Sequence, residues 1–573
     1  MGYMKKVFDS PRHIGVHFAL LNMISLSFIL VYTGEHVMTF LLGWEIAALS
    51  AWLLVIWDYT SQKVRFAGFN YLVSTHIGLI FLVAAFMILY TQTQSWYLND
   101  FGDWMSLHPG KVRNTVFLLL VTSFALKSAF FPFHSWLPRA HAAAPAHVSA
   151  LMSGVIHKAG LYALVHFLML SGTPDEWMGW FLIGFSATSA LVGGLYTVGQ
   201  RDLKRLLGYS STENVGIAGI GFGVGCLGLT WNMPLLVALG FGGGLLHVLN
   251  HAFFKCQLFY AAGCVYQVKH VIDIERLGGL FKLMPVTAMC FIIGGVAISA
   301  LPPFNGFASE FMIYSGLFTD NPINLWAKLT LVLVAAALAF VGAVSALSIT
   351  RAFGVVFLGS ARDTTLPEGH EASRWMLAPM GIHAFGTVLL GVAPTLGFAM
   401  VAAPTALFLH SVPDVFALEA LQSVVSLLTR IGAISGALVL TLLALLWLKS
   451  YVFRPHPQRH ATWGCGYSAA NTRMQYTGAS FSSDFSKPFK NVMVLLKRQK
   501  PPKGYFPTDS YVITDCVDAV ERRLFAVIGH GDESASELSR QLREDDPRLA
   551  FAGALVGLVV IAALVVLAEG ALP

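Results

Sequence analysis

Charge is scarce in this chain. Of 573 residues only 12% are charged, against about 25% in a typical soluble protein. So little charge excludes an ordinary water-soluble domain. Cysteine is almost as sparse: Cys226, Cys256, Cys264, Cys290, Cys465 and Cys516 form no CxxC pair. That excludes an iron–sulfur, nickel or zinc signature of the usual spacing, so any redox centre is expected on another chain. The glycines of "GFGGGLLHVL" follow no strand and are not a dinucleotide fingerprint. The net charge of +6 is ordinary for membrane loops and gives no sign of nucleic acid. "MGYMKKVFDSPRH" is polar and precedes a run of spanning length, so no cleavable signal peptide is expected.

Long apolar runs fill the rest. Hydrophobic residues make up 55% of the chain, in continuous stretches rather than the alternation of a barrel strand. Runs of about 20 residues can satisfy their backbone in lipid only as helices. The reading is an all-α polytopic membrane protein with about 13 spans. They lie near 14–33, 36–57, 71–94, 115–138, 149–171, 177–198, 205–226, 234–265, 282–318, 324–357, 376–405, 427–449 and 549–568. Pro132 should break the fourth, and Pro302 and Pro303 the ninth. Broken helices at membrane depth belong beside a cavity or a packed site, not against lipid.

The organisation follows from these runs. A short segment, 1–13, precedes two five-helix units at 14–171 and 177–357, which read as inverted repeats. Helices at 358–449 follow, then a polar stretch at 450–548 and a terminal span within 549–573. In the polar stretch Val512, Cys516, Val520, Leu524 and Ile528 recur every four residues. This predicts an amphipathic lateral helix lying along the membrane or a neighbouring subunit. Basic loops around Lys63, Arg139, Arg201, Lys204, Lys269 and Arg351 alternate with acidic ones around Glu35, Asp100, Asp175 and Asp320. By the positive-inside rule the N-terminus is cytoplasmic and the C-terminus outside.

The spans nevertheless hold Glu45, His76, Lys127, His157, Lys158, His166, Glu213, His247, His251, Lys255 and Glu310. Each charge at a helix centre costs about 2.5–3.5 kcal/mol on insertion scales, too much for so many to be accidental. Glu45 and Lys127 form either a structural ion pair or a switchable pair in a proton path. A lysine in low dielectric loses proton affinity and a nearby carboxylate restores it, so separating them would release a proton. Lys158 follows 31 residues after Lys127, on the next helix. His247, His251 and Lys255 share one helix face at i, i+4 and i+8; imidazole suits proton relay. A metal site at His247 and His251 has no acidic or thiolate partner nearby in sequence. Glu310 is either an exit gate or a helix-end carboxylate, and Glu213 reads as interfacial. His76, His157 and His166 read as packing or hydration residues.

Five motifs then carry a resemblance: "LLGWEIAALSAWLLVI", "ALKSAFFPFHSWLPRAHAAAPAHVSALMSGVIHKAGLYAL", "QRDLKRLLGYSSTENVG", "LLHVLNHAFFKCQLFYAAG" and "ISALPPFNGFASEF". In this order, over about residues 14–360, they resemble the antiporter-like proton-translocating membrane subunits of respiratory complex I, cation/proton antiporters and group 4 hydrogenases. "STENVG" and "TWGCGY" most resemble the large membrane subunit of hydrogenase-4 and formate hydrogenlyase complexes. The resemblance implies that Glu45 and Lys127 are the essential glutamate–lysine pair and Lys158 the central lysine. It implies that His247, His251 and Lys255 are the ionisable stretch of a bent helix, and Glu310 the terminal acid of the channel. It also implies about three more helices upstream of 14–33.

The resemblance further implies partners: other membrane subunits and a peripheral redox arm bearing iron–sulfur clusters and a nickel–iron centre, in the cell's inner membrane. Rival readings are a cation/proton antiporter subunit, an inorganic-carbon pump subunit and a non-pumping scaffold. On the leading reading the ionisable residues converge on one hydrated line, with Glu45 and Lys127 within ion-pair reach.

Overall fold

The computed structural model describes residues 3–4, 14–319, 325–409, 413–452, 474–489, 492–502, 504–505 and 510–519. The chain is a multi-pass helical membrane protein. Among the described residues ten helices are long and apolar enough to cross a membrane. The first half holds α1 (Ile14–Thr33), α2 (Val37–Val55), α3 (Gln62–Thr93), the short α4 (Leu98–Leu107), α5 (Lys111–Ser128), α6 (Trp136–Ala143), α7 (Ala146–Leu151) and α8 (Lys158–Leu170). Then come α9 (Glu176–Gly199), α10 (Leu203–Thr230), α11 (Pro234–Lys269), α12 (Pro285–Ile298), α13 (Asn305–Leu317) and α14 (Leu325–Phe357). Last are α15 (Arg374–Val392), α16 (Pro394–Ala406), α17 (Asp414–Val452), α18 (Gly478–Ser486) and a hairpin of β1 (Met493–Lys500) and β2 (Tyr511–Asp518).

Both expected breaks are present, and their backbones are alike. α5 stops at Ser128, and Ala129 takes a left-handed conformation (φ 60°) three residues before Pro132. α12 stops at Ile298, and Ala300 does the same (φ 50°) three residues before Pro303. Proline has no N–H to continue the ladder, and the left-handed residue turns the chain out of the helix axis. A further break, of a kind not expected from the sequence, lies between α7 and α8. There Met152–Ile156 form a π turn immediately before His157 and Lys158.

The centre of the bundle is α10, buried along almost its whole length, packed between α9 and α11. Glycine makes that closeness possible. A Cβ on Gly216 would meet the backbone of Ser186 and Ala190 on α9. A Cβ on Gly240 of α11 would meet the backbone of Gly221 and Gly225 on α10. Small residues let backbones touch where lipid provides no hydrophobic drive.

Two expectations are corrected. The expected helix at 376–405 is two helices, because Ala393 leaves helical geometry (φ −123°, ψ 65°) and Pro394 starts afresh. The long runs at 234–265 and 324–357 are single helices, α11 and α14, of 36 and 33 residues. The amphipathic lateral helix is overturned over its first part: Tyr511–Asp518 is a strand, antiparallel to Met493–Lys500, with Cys516 opposite Leu495 and Asp518 opposite Met493. Val512, Ile513, Thr514 and Val517 are β-branched and fit a pleated surface better than a helix. Cys516 and Asp518 alternate onto the buried face. Val520, Leu524, Ile528 and the expected span at 549–568 lie outside the described residues.

The segment after α17 is tied to the bundle by Arg351, which is only 2% exposed. Its guanidinium donates to the Gln200 carbonyl at 2.8 Å and the Gly478 carbonyl at 3.1 Å. Hydrogen bonds from a charged donor contribute about 1.5–3 kcal/mol each when buried. Arg351→Leu is therefore expected to free residues 474–489 for proteolysis while the spans stay folded. An unchanged digestion pattern would remove Arg351 as the anchor.

Candidate functional site

The first group of ionisable side chains gathers between α2, α3 and α5. Glu45 sits mid-way along α2 and Lys127 in the last turn of α5, one residue before the helix stops; both are buried. Lys127 Nζ lies 4.9 Å from the centre of the Trp44 ring, a cation–π position. Glu45 and Lys127 feel one another electrostatically. The ion-pair contact of Glu45, however, is with His76 Nε2 of α3, at 3.7 Å. Thus the expected direct Glu45–Lys127 contact is replaced by His76, which the sequence offered as a packing or hydration residue. Tyr71, on the same helix as His76, is also within electrostatic reach of Glu45. Both Glu45 carboxylate oxygens and Lys127 Nζ are without a hydrogen-bond partner among the described residues.

The second group starts at the π turn. Lys158 Nζ donates to the Gly154 carbonyl at 3.0 Å, and His157 Nδ1 faces the Met152 carbonyl at 2.7 Å. A π turn carries one extra residue per turn, and such bulges often re-aim side chains at functional sites. Here it turns His157 toward His251 of α11, ring centres 5.7 Å apart. Along α11 the expected face holds. His247 Nδ1 lies 3.1 Å from the Ser309 hydroxyl of α13. Asn250 donates to that hydroxyl at 3.1 Å and to the Asn305 carbonyl at 2.8 Å. Lys255 donates to the Leu207 carbonyl at 2.6 Å and to the Ser210 hydroxyl of α10.

Beyond Lys255 the chain of groups continues. Glu213 of α10 interacts electrostatically with Lys255 and with Glu310 of α13. Glu213 is wholly buried, not interfacial. It lies against Gly194 of α9, where a Cβ would sit 3.8 Å from its carboxyl group. Its two oxygens, His157 Nε2, His247 Nε2 and His251 Nε2 are buried without a hydrogen-bond partner among the described residues. Between the two groups the Ser128 hydroxyl donates to the His157 carbonyl at 3.0 Å, joining α5 to the π turn. His166 stands apart, stacked on Tyr162 with ring centres 5.5 Å apart.

Two residues of this interior were passed over in the sequence. His141 is fully buried, stacked on Phe259 at 4.6 Å, with His157 and Lys255 as electrostatic neighbours. His134 lies in the break after α5 and is also fully buried. Both stand in the histidine-rich stretch between Lys127 and Lys158; His141 falls between two expected spans, and His134 falls past the Pro132 break of the span at 115–138.

A bundle of membrane-length helices whose interior holds two files of buried acids, lysines and histidines defines a multi-pass membrane protein with an ionisable core. The model of the NADH:quinone oxidoreductase/Mrp antiporter transmembrane family matches residues 34–339, and the chain belongs to that family. It is 36% identical over 378 residues to hydrogenase-4 component B of Escherichia coli K12, covering 65% of this chain and 56% of that one. It is 35% identical over 394 residues to formate hydrogenlyase subunit 3 of the same organism, covering 67% and 62%. The chain therefore spans less than two thirds of the length of these two relatives. Among solved structures, the membrane-bound sulfane sulfur reductase, an archaeal respiratory membrane complex, contains a chain that superposes with a TM-score of 0.67 at 20% identity, over 94% of this chain and 83% of that one. That likeness concerns the fold.

Proposed function

We propose that this chain is a proton-translocating membrane subunit of a redox-driven complex of the hydrogenase-4 or formate hydrogenlyase kind. The observation that carries the reading is the run of buried ionisable groups, joined by the half-buried His76, from Glu45 and Lys127 through Lys158, His157, His251, His247 and Lys255 to Glu213 and Glu310. Buried polar groups bind protein or water, and many of these have no protein partner among the described residues. Water bound at them both lowers the cost of burial and provides a path for proton hopping. The like backbones at Pro132 and Pro303 support the reading of two related five-helix units, with a break beside each end of the line. They also free backbone groups near Lys127 and Glu310.

In this role Lys127 and Glu45 form the switchable pair, with His76 as the alternative partner of the carboxylate. Lys158, His247, His251 and Lys255 are the central relay, and Glu310 is the terminal acid. Partner membrane subunits and a peripheral arm would carry the iron–sulfur and nickel–iron centres. The inner membrane would hold the chain with its N-terminus cytoplasmic and its C-terminus outside. The family's other branch favours a second reading, a cation/proton antiporter subunit.

The test is to purify the tagged complex from its native membrane, assay it for iron and nickel, and reconstitute it in proteoliposomes. Redox turnover should acidify or alkalinise the lumen in a protonophore-sensitive, sodium-independent way. A metal-free complex showing sodium-dependent proton exchange would establish the antiporter reading instead. Turnover without proton movement would leave only a scaffold.

A further inference from the structure

The C-terminal hairpin reaches into the break after α5. On β2 the inward residues are Cys516 and Asp518, both fully buried. Cys516 lies against Gly199, where a Cβ would come within 2.9 Å of its sulfur. Tyr196 of α9 holds the two ends of the hairpin together: its hydroxyl donates to the Val492 carbonyl at 2.9 Å and accepts the Ala519 N–H at 2.9 Å. This clamp fixes Asp518. Its Oδ2 lies 2.8 Å from His134 Nε2 and accepts the Tyr209 hydroxyl at 3.2 Å.

His134 and Asp518 are both 0% exposed. A buried carboxylate beside a buried imidazole is costly unless they are paired, and it is here that the expected surface helix becomes a strand that brings its acid inward. The imidazole lies beside the stacked Tyr196 and Tyr209, ring centres 6.2 and 5.9 Å away, and beside Phe131 at 5.3 Å. Neither ring nitrogen has an aligned hydrogen-bond partner among the described residues; the approach of Nε2 to the Asp518 carboxylate is an ion-pair contact. Among the described residues, the other charged or titratable groups around the pair include Arg139, from the same segment, Arg205 of α10 and Cys516 of the hairpin.

The pair has neighbours on the buried line in two directions. Along the chain, His134 follows Lys127 by seven residues, across the Pro132 break. On α10, Tyr209 stands next to Ser210 and two residues from Leu207, the two acceptors of Lys255.

We propose that His134 and Asp518 form a proton-relay dyad at the mouth of the buried line, its carboxylate supplied by the docked C-terminal hairpin. With the carboxylate 2.8 Å from Nε2, a small turn of the ring sets an Nε2–H on it and leaves Nδ1 as the acceptor, the arrangement that fixes a histidine tautomer in relay sites. A proton that bonds to Nδ1 is balanced by one leaving Nε2 for the carboxylate, and no electrons change hands. The inference rests on the proton-translocating reading above, and makes the hairpin part of the path and not merely its cover.

The experiment uses the intact complex in proteoliposomes, with Lys127→Ala alongside. Asp518→Asn keeps the shape and the Tyr196 clamp but cannot accept a proton. It is expected to slow proton transfer by about tenfold or more, with the protease pattern of the C-terminal segment unchanged and Asp518→Glu restoring most of the rate. Full transfer by Asp518→Asn overturns the dyad. So does a loss that comes with release of the hairpin and is not restored by Asp518→Glu, because that is an anchor. If Lys127→Ala also transfers protons normally, Lys127 is not in the path; if the unsubstituted complex turns over without moving protons, the translocating function itself fails. If only Lys127→Ala is inactive, the function stands without the dyad.

Discussion

Lys127→Ala in the assembled complex is expected to lower proton transfer by about 100-fold or more, with the spans and partner subunits retained. Lys127 is the one basic group in the last turn of α5, and its ammonium rests on the Trp44 ring and not on a hydrogen-bond acceptor among the described residues. Alanine removes the proton carrier but no structural hydrogen bond. The lost cation–π contact costs about 0.5–2 kcal/mol, too little to unfold a bundle of this size. Glu45→Gln is expected to be milder, because the His76 imidazole remains beside the site. Luminal dye quenching under redox turnover measures both variants. Wild-type rates for an assembled Lys127→Ala complex would refute the role.

Gly240→Val is expected to abolish stable insertion of the subunit. A Cβ at this position would lie against the Gly225 amide and the Gly221 carbonyl, backbone atoms that cannot rotate away. Overpacking where side chains can adjust costs about 1–3 kcal/mol. Here α10 and α11 must move apart, and α10 is the buried axis on which α9 and α11 both pack. The yield of monodisperse protein in detergent is the measurement. Gly184→Ala is the control, since nothing lies within 4 Å of a Cβ there. Equal yields for both variants would mean that the glycine contact is not required.

The membrane fold was legible because lipid leaves the backbone few choices. An apolar run must be a helix, and Pro132 and Pro302–Pro303 must interrupt one. The buried acids, lysines and histidines were legible for the same reason, as costly residues in such runs. What stayed hidden depended on partners distant in sequence. That Glu45 meets His76 follows from how α2 packs on α3, which no periodicity encodes. The π turn before Lys158 has no composition signal. The hairpin was misread because Val512 and Cys516 fit a four-residue period as well as a two-residue one. What decides between them is pairing with Met493–Lys500, a segment that has no strand signature of its own. Without that strand, Asp518 looked like the polar face of a helix, and its encounter with His134 was invisible.

The 39-residue helix α17 bears on how the protein can be handled outside its bilayer. At about 1.5 Å per residue it is about 58 Å long, roughly twice the hydrocarbon thickness of a membrane. Its buried residues, from Ala420 to Ser435, all fall in its first two thirds. From Thr441 to Val452 every residue is exposed, including Leu442, Leu443, Leu445, Leu446 and Trp447. A thin micelle that suits the compact bundle leaves this greasy mast uncovered, and two such masts from neighbouring particles would stick. Long-chain detergents or nanodiscs should therefore keep the extracted subunit dispersed where short-chain ones precipitate it.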